Sequence, residues 1–288
     1  MNLETRRFDG QPALNYAESP AADKPTLLLL HGVTRCWRDW EPILQELEQS
    51  WRVIALDHRG HGGSERAASY RVTDYVADAV SFVRDEAAQA VPLVVFGHSL
   101  GALVAAAVAA EVPQFVRAVV LEDPPFHTMG NRIAGTAWQA QFIGMREAAQ
   151  RGGSIEELTD ALADIRLPAS GGKFKRLGDL RDRESLRWSA ECLSQLDPEV
   201  LAPVIEGHWL DGYVIANVLS RIHCPALLLA GDPLAGSALT RSEAESTKAA
   251  LSSCQSVSFP GAGHQLHRDR SEAVLDALKS FAATLSIK

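Results

Sequence analysis

Ser99 lies at the centre of a G-x-S-x-G sequence, GHSLG, at residues 97–101. The β-branched and aromatic residues 94–96 predict a short buried strand before it, and the alanine-rich residues 102–110 predict a helix after it. This strand-turn-helix setting is typical of a nucleophile elbow, in which a tight turn lifts a serine hydroxyl above the end of a sheet. Both glycines have a steric reason, because the strand and helix backbones come together there. We therefore predict that Ser99 is a nucleophile.

A serine hydroxyl is a weak nucleophile until a histidine accepts its proton, and that histidine needs a carboxylate to orient it. Among nine histidines, His264 is favoured because its glycine-rich loop, PGAGH at 260–264, lies between the last predicted strand and the last predicted helix. This loop should open at the same sheet edge as Ser99. His267 is the alternative base, although we expect it to pack or hydrogen-bond nearby. Both could instead be ordinary surface histidines.

Acyl transfer also requires donors for the negative charge that develops on the carbonyl oxygen. These are typically backbone N–H groups of the residue after the nucleophile and of an early strand-end loop. The corresponding residues are Leu100 and Val33. Val33 follows the pair His31-Gly32 at the end of an apolar strand predicted at 26–30.

The elements that must position these residues alternate between strands and helices. Further strands are predicted in 7–16 and at 52–56, 116–121, 226–230 and 256–259. Helices are predicted at about 37–47, 74–86, 102–110, 241–251 and 272–285. Strands separated by helices imply right-handed crossovers, so we predict an α/β fold with a mostly parallel central sheet flanked by helices.

A segment without this alternation interrupts the chain between residues 125 and 210. It contains helical stripes and the glycine pairs 152–153 and 171–172, but no convincing strand. We predict a helical cap at 125–210, inserted into a core made of residues 1–124 and 211–288.

Composition excludes several functional classes. Of 288 residues, 46% are hydrophobic and 22% are charged, which is ordinary for a globular protein. The net charge of −8 offers no electrostatic footprint for nucleic acid or an anionic membrane. The longest apolar run, 102–110, is shorter than the roughly 20 residues that cross a bilayer, and no apolar segment follows the N-terminal charges as in a secretory signal. Four separated cysteines without a C-x-x-C pair favour reduced thiols in a cytoplasmic protein.

The sequence resembles the α/β-hydrolase fold family over nearly its whole length. The matching segments, in the family's order, are His31-Gly32, the glycine-rich loop at 57–64, the G-x-S-x-G sequence at 97–101 and GAGH at 261–264. The resemblance identifies the insertion with the family's cap. Aspartate nucleophiles mark the dehalogenase and epoxide-hydrolase branches, so Ser99 points away from both chemistries. Asp57, Arg59 and Ser64 of the glycine-rich loop are predicted to be structural.

The resemblance leaves three candidates for the acid. The family commonly carries it in a G-x-x-D arrangement after the strand that precedes the final helix pair, but Leu234 occupies that position here. A minority of relatives take the acid from the end of the core strand before the cap. That place favours Asp123, with Asp232 and Glu122 as alternatives.

Aromatic side chains of the cap and the oxyanion loop are candidates for the substrate pocket, beside His98 of the elbow. The predicted pocket residues are His98, Trp37, Trp138, Phe142, Trp188 and Trp209. A basic cluster in the cap could steer an anionic substrate, although a solvated helix face is the more ordinary interpretation. Its members are Lys173, Lys175, Arg176, Arg181, Arg183 and Arg187.

These residues predict a serine hydrolase that cleaves a carboxylic ester or lactone through an acyl-enzyme on Ser99. The sequence contains no metal-ligand cluster, phosphate loop or dinucleotide fingerprint, so no cofactor is expected. One alternative is a carbon–carbon bond hydrolase that uses the same triad. Another is a receptor that binds a small molecule without turnover. Neither the substrate nor the oligomeric state follows from the sequence.

Overall fold

The computed structural model describes residues 3–20, 23–87 and 93–285. Its strands are Glu4–Phe8 (β1), Leu14–Glu18 (β2), Thr26–Leu30 (β3), Arg52–Leu56 (β4), Leu93–His98 (β5), Val116–Glu122 (β6), Arg166–Ala169 (β7), Lys173–Arg176 (β8), Ala226–Ala230 (β9) and Cys254–Ser258 (β10). Its α-helices are Glu41–Ser50 (α1), Val72–Asp85 (α2), Leu100–Glu111 (α3), Ala137–Arg151 (α4), Ile155–Ala163 (α5), Arg183–Leu193 (α6), Ala202–Glu206 (α7), Ile215–Leu219 (α8), Arg241–Ala250 (α9), Leu266–Asp269 (α10) and Ser271–Thr284 (α11).

Eight strands form the central sheet in the order β1-β2-β4-β3-β5-β6-β9-β10. The first two pairings, β1 with β2 and β2 with β4, are antiparallel, and all later neighbours are parallel. The carboxyl ends of β3, β5, β6 and β9 therefore meet at one edge, where ligand sites of such sheets form. This architecture confirms the predicted α/β fold.

The central strands are apolar on both faces because helices cover both. Along β3, Leu28 and Leu30 belong to the core on the side of α2 and α3, whereas Leu27 and Leu29 belong to the core on the side of α1 and α11. All four side chains are fully buried. A continuous apolar strand is therefore required here, as in other parallel sheets.

The alanine-rich helix α3 packs directly against the sheet. Every residue from Leu100 to Ala110 is buried. Small side chains let the helix approach closely, and Gly101 allows the tightest contact, since a Cβ there would lie 1.8 Å from the carbonyl oxygen of Leu30. The small residues of α3 thus determine the distance between the elbow and the end of β3.

The insertion between β6 and β9 is mostly helical but contains a hairpin, so the prediction that it holds no strand is wrong. β7 pairs antiparallel with β8, and the glycine pair lies in the connection, with φ of 72° at Gly171 and 70° at Gly172. Four residues per strand are too few to show a clear alternation, and every residue of β8 is exposed. The glycines marked a turn rather than a break between helices.

Two further features differ in detail from the predictions. The opening segment predicted in 7–16 is a hairpin of two strands, β1 and β2. The helix predicted at 37–47 begins as a 3₁₀ turn at Trp37–Trp40 before α1. No helix in the described ranges is both long enough and apolar enough to pass through a membrane.

Replacing Gly101 with alanine should lower the free energy of unfolding by about 4 kcal/mol or more, because the new Cβ meets immovable backbone. The matched control is Gly135→Ala, where φ is +74° but no atom lies within 4 Å; it should cost only about 1 to 2 kcal/mol. Urea unfolding of both variants measures the difference. Equal losses of unfolding free energy in the two variants would show that the close approach of α3 to β3 does not exclude a side chain at residue 101.

Candidate active site

Ser99 joins the end of β5 to the start of α3 in a strained conformation. Its φ is 54° and its ψ is −113°, a combination that L residues rarely adopt. A Cβ at Gly97 would lie 2.0 Å from the carbonyl oxygen of Gly101. The turn therefore needs both glycines, and it presents the Ser99 side chain at the carboxyl edge of the sheet.

His264 and Asp123 form a hydrogen-bonded pair beside Ser99. Nδ1 of His264 lies 2.5 Å from Oδ2 of Asp123. His264 belongs to the loop between β10 and α10, and Asp123 directly follows β6. Since a carboxylate only accepts, this bond assigns the proton to Nδ1 and leaves Nε2 able to accept another. Ser99 and His264 line the same cavity.

The carboxylate of Asp123 is fully buried and held by further donors. Oδ1 accepts from the Ser237 hydroxyl at 2.5 Å, and Oδ2 also accepts from the Ala238 N–H at 2.8 Å. The backbone at Asp123 has a φ of 44°. This positive φ turns the chain at the end of β6, and the donors fix the orientation of the carboxylate toward His264.

The other two candidate acids have different partners. Asp232 accepts from the N–H groups of Gly261 at 3.1 Å and Leu234 at 3.0 Å, and these bonds lower the pKa of its carboxyl. Glu122 accepts from the N–H and the ring of His267. Within the described part of the chain, neither carboxylate bonds to His264.

Of the two expected oxyanion donors, Val33 lines the cavity together with Ser99, and Leu100 directly follows Ser99 in the chain. Leu100 is the first residue of α3, so its N–H has no acceptor in a preceding helical turn. Val33 lies in a turn in which the N–H of Arg35 donates to the Gly32 carbonyl at 3.1 Å. A Cβ at Gly32 would lie 3.3 Å from the Cβ of Ser99. The glycine thus lets this loop pass close beside the nucleophile.

The cavity at Ser99 is narrow. The part of it that the centre of a water molecule can reach has a volume of about 30 Å³. Of the predicted pocket residues, His98, Trp138 and Phe142 line it. A larger cavity of about 370 Å³ beside β9 and β10 contains neither Ser99 nor His264.

Three predicted pocket residues do not line this cavity. Trp209 is fully buried in the core. Trp188 donates from Nε1 to Asp39 at 3.0 Å, which joins α6 to the loop after β3. Trp37 is half-buried, and its N–H donates to Asp57 at 2.6 Å. These tryptophans serve packing and the contact between insertion and core.

The cavity also contains polar residues that were not predicted to line it. They are Thr34, Arg35, Gln141, Arg181 and Gln265. Only Arg181 had been named, as a member of the basic cluster. Arg35 directly follows the loop of the proposed oxyanion donor, and that position was the one sequence signal that could have identified it.

His267 forms a buried charged cluster beneath the site. Its Nδ1 lies 2.9 Å from Glu122, and its Nε2 lies 3.3 Å from Asp39. Burial alone lowers the pKa of His267, but the two carboxylates outweigh it and raise the pKa to about 9. Although burial raises the pKa of Asp39, His267, Arg35 and Arg268 hold it well below its ordinary range. His267 is therefore an imidazolium at neutral pH.

This cluster is also where ligand-type atoms converge. One atom each from Asp39, His98 and His267 lies within 4.8 Å of the others. However, both nitrogens of a protonated His267 carry protons, and each faces a carboxylate. His98 donates from Nε2 to the carbonyl of His264 at 2.9 Å. The arrangement is explained as support for the His264 loop, and we assign no metal to it.

The glycine-rich loop after β4 is held by its own hydrogen bonds. Asp57 accepts from the N–H of Gly63 at 2.9 Å, and the Ser64 hydroxyl donates to the carbonyl of Asp57 at 2.7 Å. Arg59 forms a bidentate pair with Asp78, both bonds measuring 2.6 Å. These contacts agree with the structural interpretation of this loop.

A sequence profile described as the alpha/beta hydrolase fold matches residues 25–269. The chain belongs to the α/β-hydrolase fold family. The match covers the whole site, from the loop after β3 to His267.

Relatives of this α/β hydrolase include several chemistries. It is 37% identical over 121 residues to 2-(acetamidomethylene)succinate hydrolase of Mesorhizobium japonicum, a match covering 41% of this chain and 42% of that protein. It is 28% identical over 273 residues to pimeloyl-(acyl-carrier protein) methyl ester esterase of Xanthomonas oryzae pv. oryzae, covering 91% of this chain and 96% of that protein. The first sequence relatives are matched over only 31% to 42% of their own length.

Solved structures share the fold of this α/β hydrolase. An enol-lactonase from Burkholderia xenovorans superposes with a TM-score of 0.74 at 19% identity, covering 96% of this chain and 100% of the other. E-2-(acetamidomethylene)succinate hydrolase superposes with a TM-score of 0.74 at 22% identity, covering 98% and 100%. At these identities the likeness establishes the fold alone.

Asp123→Asn should reduce kcat by roughly 10³ to 10⁴, because an asparagine cannot hold His264 in the required tautomer. The matched control is Asp232→Asn, which removes a carboxylate from the neighbouring loop and should leave kcat nearly unchanged. Steady-state kinetics on any ester that the enzyme turns over measures both variants. Near-normal turnover in Asp123→Asn with a collapse in Asp232→Asn would reverse the assignment of the acid.

The charge on His267 makes stability depend on pH in a defined direction. Its pKa of about 9 lies above the ordinary value of 6.5, so the folded protein binds this proton more tightly than the unfolded chain does. The stabilisation of the folded protein by the charge on His267 is fully present below pH 6.5 and is lost as the pH rises through about 9. The free energy of unfolding of the wild type should fall over this window by on the order of 3 kcal/mol more than that of His267→Gln.

Urea unfolding at several pH values measures the difference between the two proteins. The exposed His208→Gln variant serves as the control and should follow the wild type. Parallel pH profiles for wild type and His267→Gln would show that His267 is not charged in the folded protein.

Proposed function

We propose that the protein is a serine hydrolase that cleaves a carboxylic ester or lactone through an acyl-enzyme on Ser99. The observation that carries this proposal is the 2.5 Å contact between His264 and Asp123, in a cavity that also contains a serine in an elbow conformation. A nucleophile, a base and an orienting acid are thereby brought together from three separate loops.

The proposed reaction has two halves. Nε2 of His264 accepts the proton of Ser99 as Oγ attacks the carbonyl carbon, and the N–H groups of Val33 and Leu100 bind the oxygen that becomes negative. The tetrahedral intermediate then collapses, the leaving alkoxide takes the proton from His264, and the acyl group remains on Ser99. His264 then takes a proton from a water molecule, whose oxygen attacks the acyl carbon, and returns that proton to Oγ of Ser99 as the bond between the acyl carbon and Oγ breaks and the acid is released. Asp123 keeps the imidazole oriented throughout. No cofactor takes part in this sequence.

Two considerations favour an ester or lactone. The nucleophile position holds serine rather than aspartate, and an alkoxide leaves a serine-derived intermediate readily once His264 protonates it. The name of a methyl ester esterase among the sequence relatives agrees with an ester substrate. We further propose that residues 125–210 act as the cap, since α6 covers the loop after β3 through Trp188 and through Ser189, which bonds to Arg35.

Labelling with a fluorophosphonate tests the proposal directly. The reagent should form a covalent adduct on Ser99, located by peptide mass mapping, and the wild type should hydrolyse members of a panel of esters and lactones. Ser99→Ala should lose both, whereas Ser242→Ala, a change at an exposed serine, should lose neither. Turnover of a diketone without turnover of esters would favour the carbon–carbon hydrolase. Absence of the Ser99 adduct would refute the acyl-enzyme.

A further inference from the structure

Two guanidinium groups face the active-site cavity, although the proposed reaction uses neither. Arg35 comes from the loop after β3 in the core, and Arg181 comes from the insertion, just before α6. Both line the cavity that contains Ser99 and His264. Two cations that line one narrow cavity, one from the core and one from the insertion, require an explanation, because like charges brought close together repel each other.

Arg181 differs from the other arginines of the basic cluster, each of which has an acidic partner. Arg183, two residues on, is exposed and pairs with Asp160 at 2.9 Å and Glu156 at 2.7 Å. Across the residues that the structure describes, the guanidinium of Arg181 takes part in neither a hydrogen bond nor an ion pair. It is half-buried, so water only partly replaces the missing partner.

Arg35, by contrast, is fixed in place. Its Nη1 donates to the hydroxyl of Ser189 at 2.9 Å. With the amide of Gln265 oriented to satisfy both groups, the Gln265 oxygen accepts from Nη2 at 2.9 Å and from Nε at 3.1 Å. The nearest carboxylate, Asp39, lies 3.9 Å from Nε and already faces His267. Arg35 is thus a positioned cation whose charge is only partly balanced.

The local charges leave the cavity positive at Arg181. Burial lowers the pKa of Arg181 and Arg35 lowers it further, to about 10, while Asp269 and Asp182 act in the opposite direction. The side chain therefore stays protonated at neutral pH. Asp182 caps α6 by accepting from the N–H of Ser185 at 2.7 Å, and Asp269 is exposed. Neither carboxylate lines the cavity.

We infer that Arg181 and Arg35 bind a carboxylate carried by the substrate, whose scissile acyl group lies over Ser99. The inference rests on the proposed function for the identity of the reacting group. A guanidinium presents its donors in a planar fork that matches a carboxylate, and a charged hydrogen bond is stronger than a neutral one. Because Arg35 and Arg181 line the same cavity as Ser99, the bound anion lies close to the reacting carbon. The substrate class is therefore a monoester, or a related acyl derivative, of a short dicarboxylic acid.

Binding to Ser99→Ala tests the site without any turnover. The ligands are monomethyl malonate, succinate, glutarate and adipate, and each is compared by calorimetry with its uncharged dimethyl ester. At least one monomethyl ester should bind more tightly than its dimethyl counterpart. Adding Arg181→Met should reduce this preference by about tenfold or more, as expected for a lost charged hydrogen bond. Adding Arg183→Met instead should leave it unchanged, although it removes the same formal charge.

The variants also separate this inference from the proposed function. The guanidinium of Arg181 has no hydrogen bond or ion pair within the described residues, so a thermal melt of Arg181→Met should match that of Arg183→Met. The carboxylate site would be overturned, even if Ser99 is labelled, by either of two results. One is an equal preference for the monomethyl over the dimethyl ester with and without Arg181, and the other is no preference for any monomethyl ester. A preference that disappears with Arg181 in a protein whose Ser99 takes no label would keep the site and refute the acyl-enzyme.

Discussion

The buried carboxylate of Asp123 joins three loops at the carboxyl edge of the sheet. It follows β6, accepts from Ser237 and Ala238 in the region after β9, and meets His264 in the loop after β10. A buried carboxylate without these donors would be strongly destabilising. The same requirement that keeps the group satisfied therefore also positions the histidine. Structure and chemistry depend on one set of hydrogen bonds.

The neighbouring residue, Glu122, forms a second acid–histidine pair. Glu122 is the last residue of β6 and contacts His267, whereas Asp123 follows the strand with a φ of 44° and contacts His264. His267 in turn contacts Asp39, which also receives Nε1 of Trp188 from the insertion. One pair is placed where a proton can be exchanged with a substrate. The other is sealed within the protein and connects the base loop, the end of β6 and α6.

The sequence predicted the features whose signals are local. The elbow needs only a strand, two glycines and a helix in succession, and His264 was favoured by its place between the last strand and the last helix. To identify the acid, one must know which carboxylate contacts the other two loops in the folded protein. The order of residues along the chain does not contain this information. Tryptophans were assigned to the pocket by type, yet Trp188 serves the contact between α6 and the core. The sequence could not distinguish Arg181 from the other arginines of the basic cluster, because they differ in whether an acidic side chain pairs with them in the folded protein.

Trapping the substrate's own acyl group on the enzyme tests the central claim most directly. The enzyme is mixed with an ester that it turns over, quenched in acid within the first turnovers, and analysed by mass spectrometry of the intact protein and its peptides. The account predicts an added acyl mass on the peptide that contains Ser99, formed in a burst before steady-state turnover. The ester is chosen so that its acyl group is hydrolysed slowly from the enzyme and the acyl-enzyme accumulates. Steady turnover of this ester with no acylated Ser99 at any time would contradict the account.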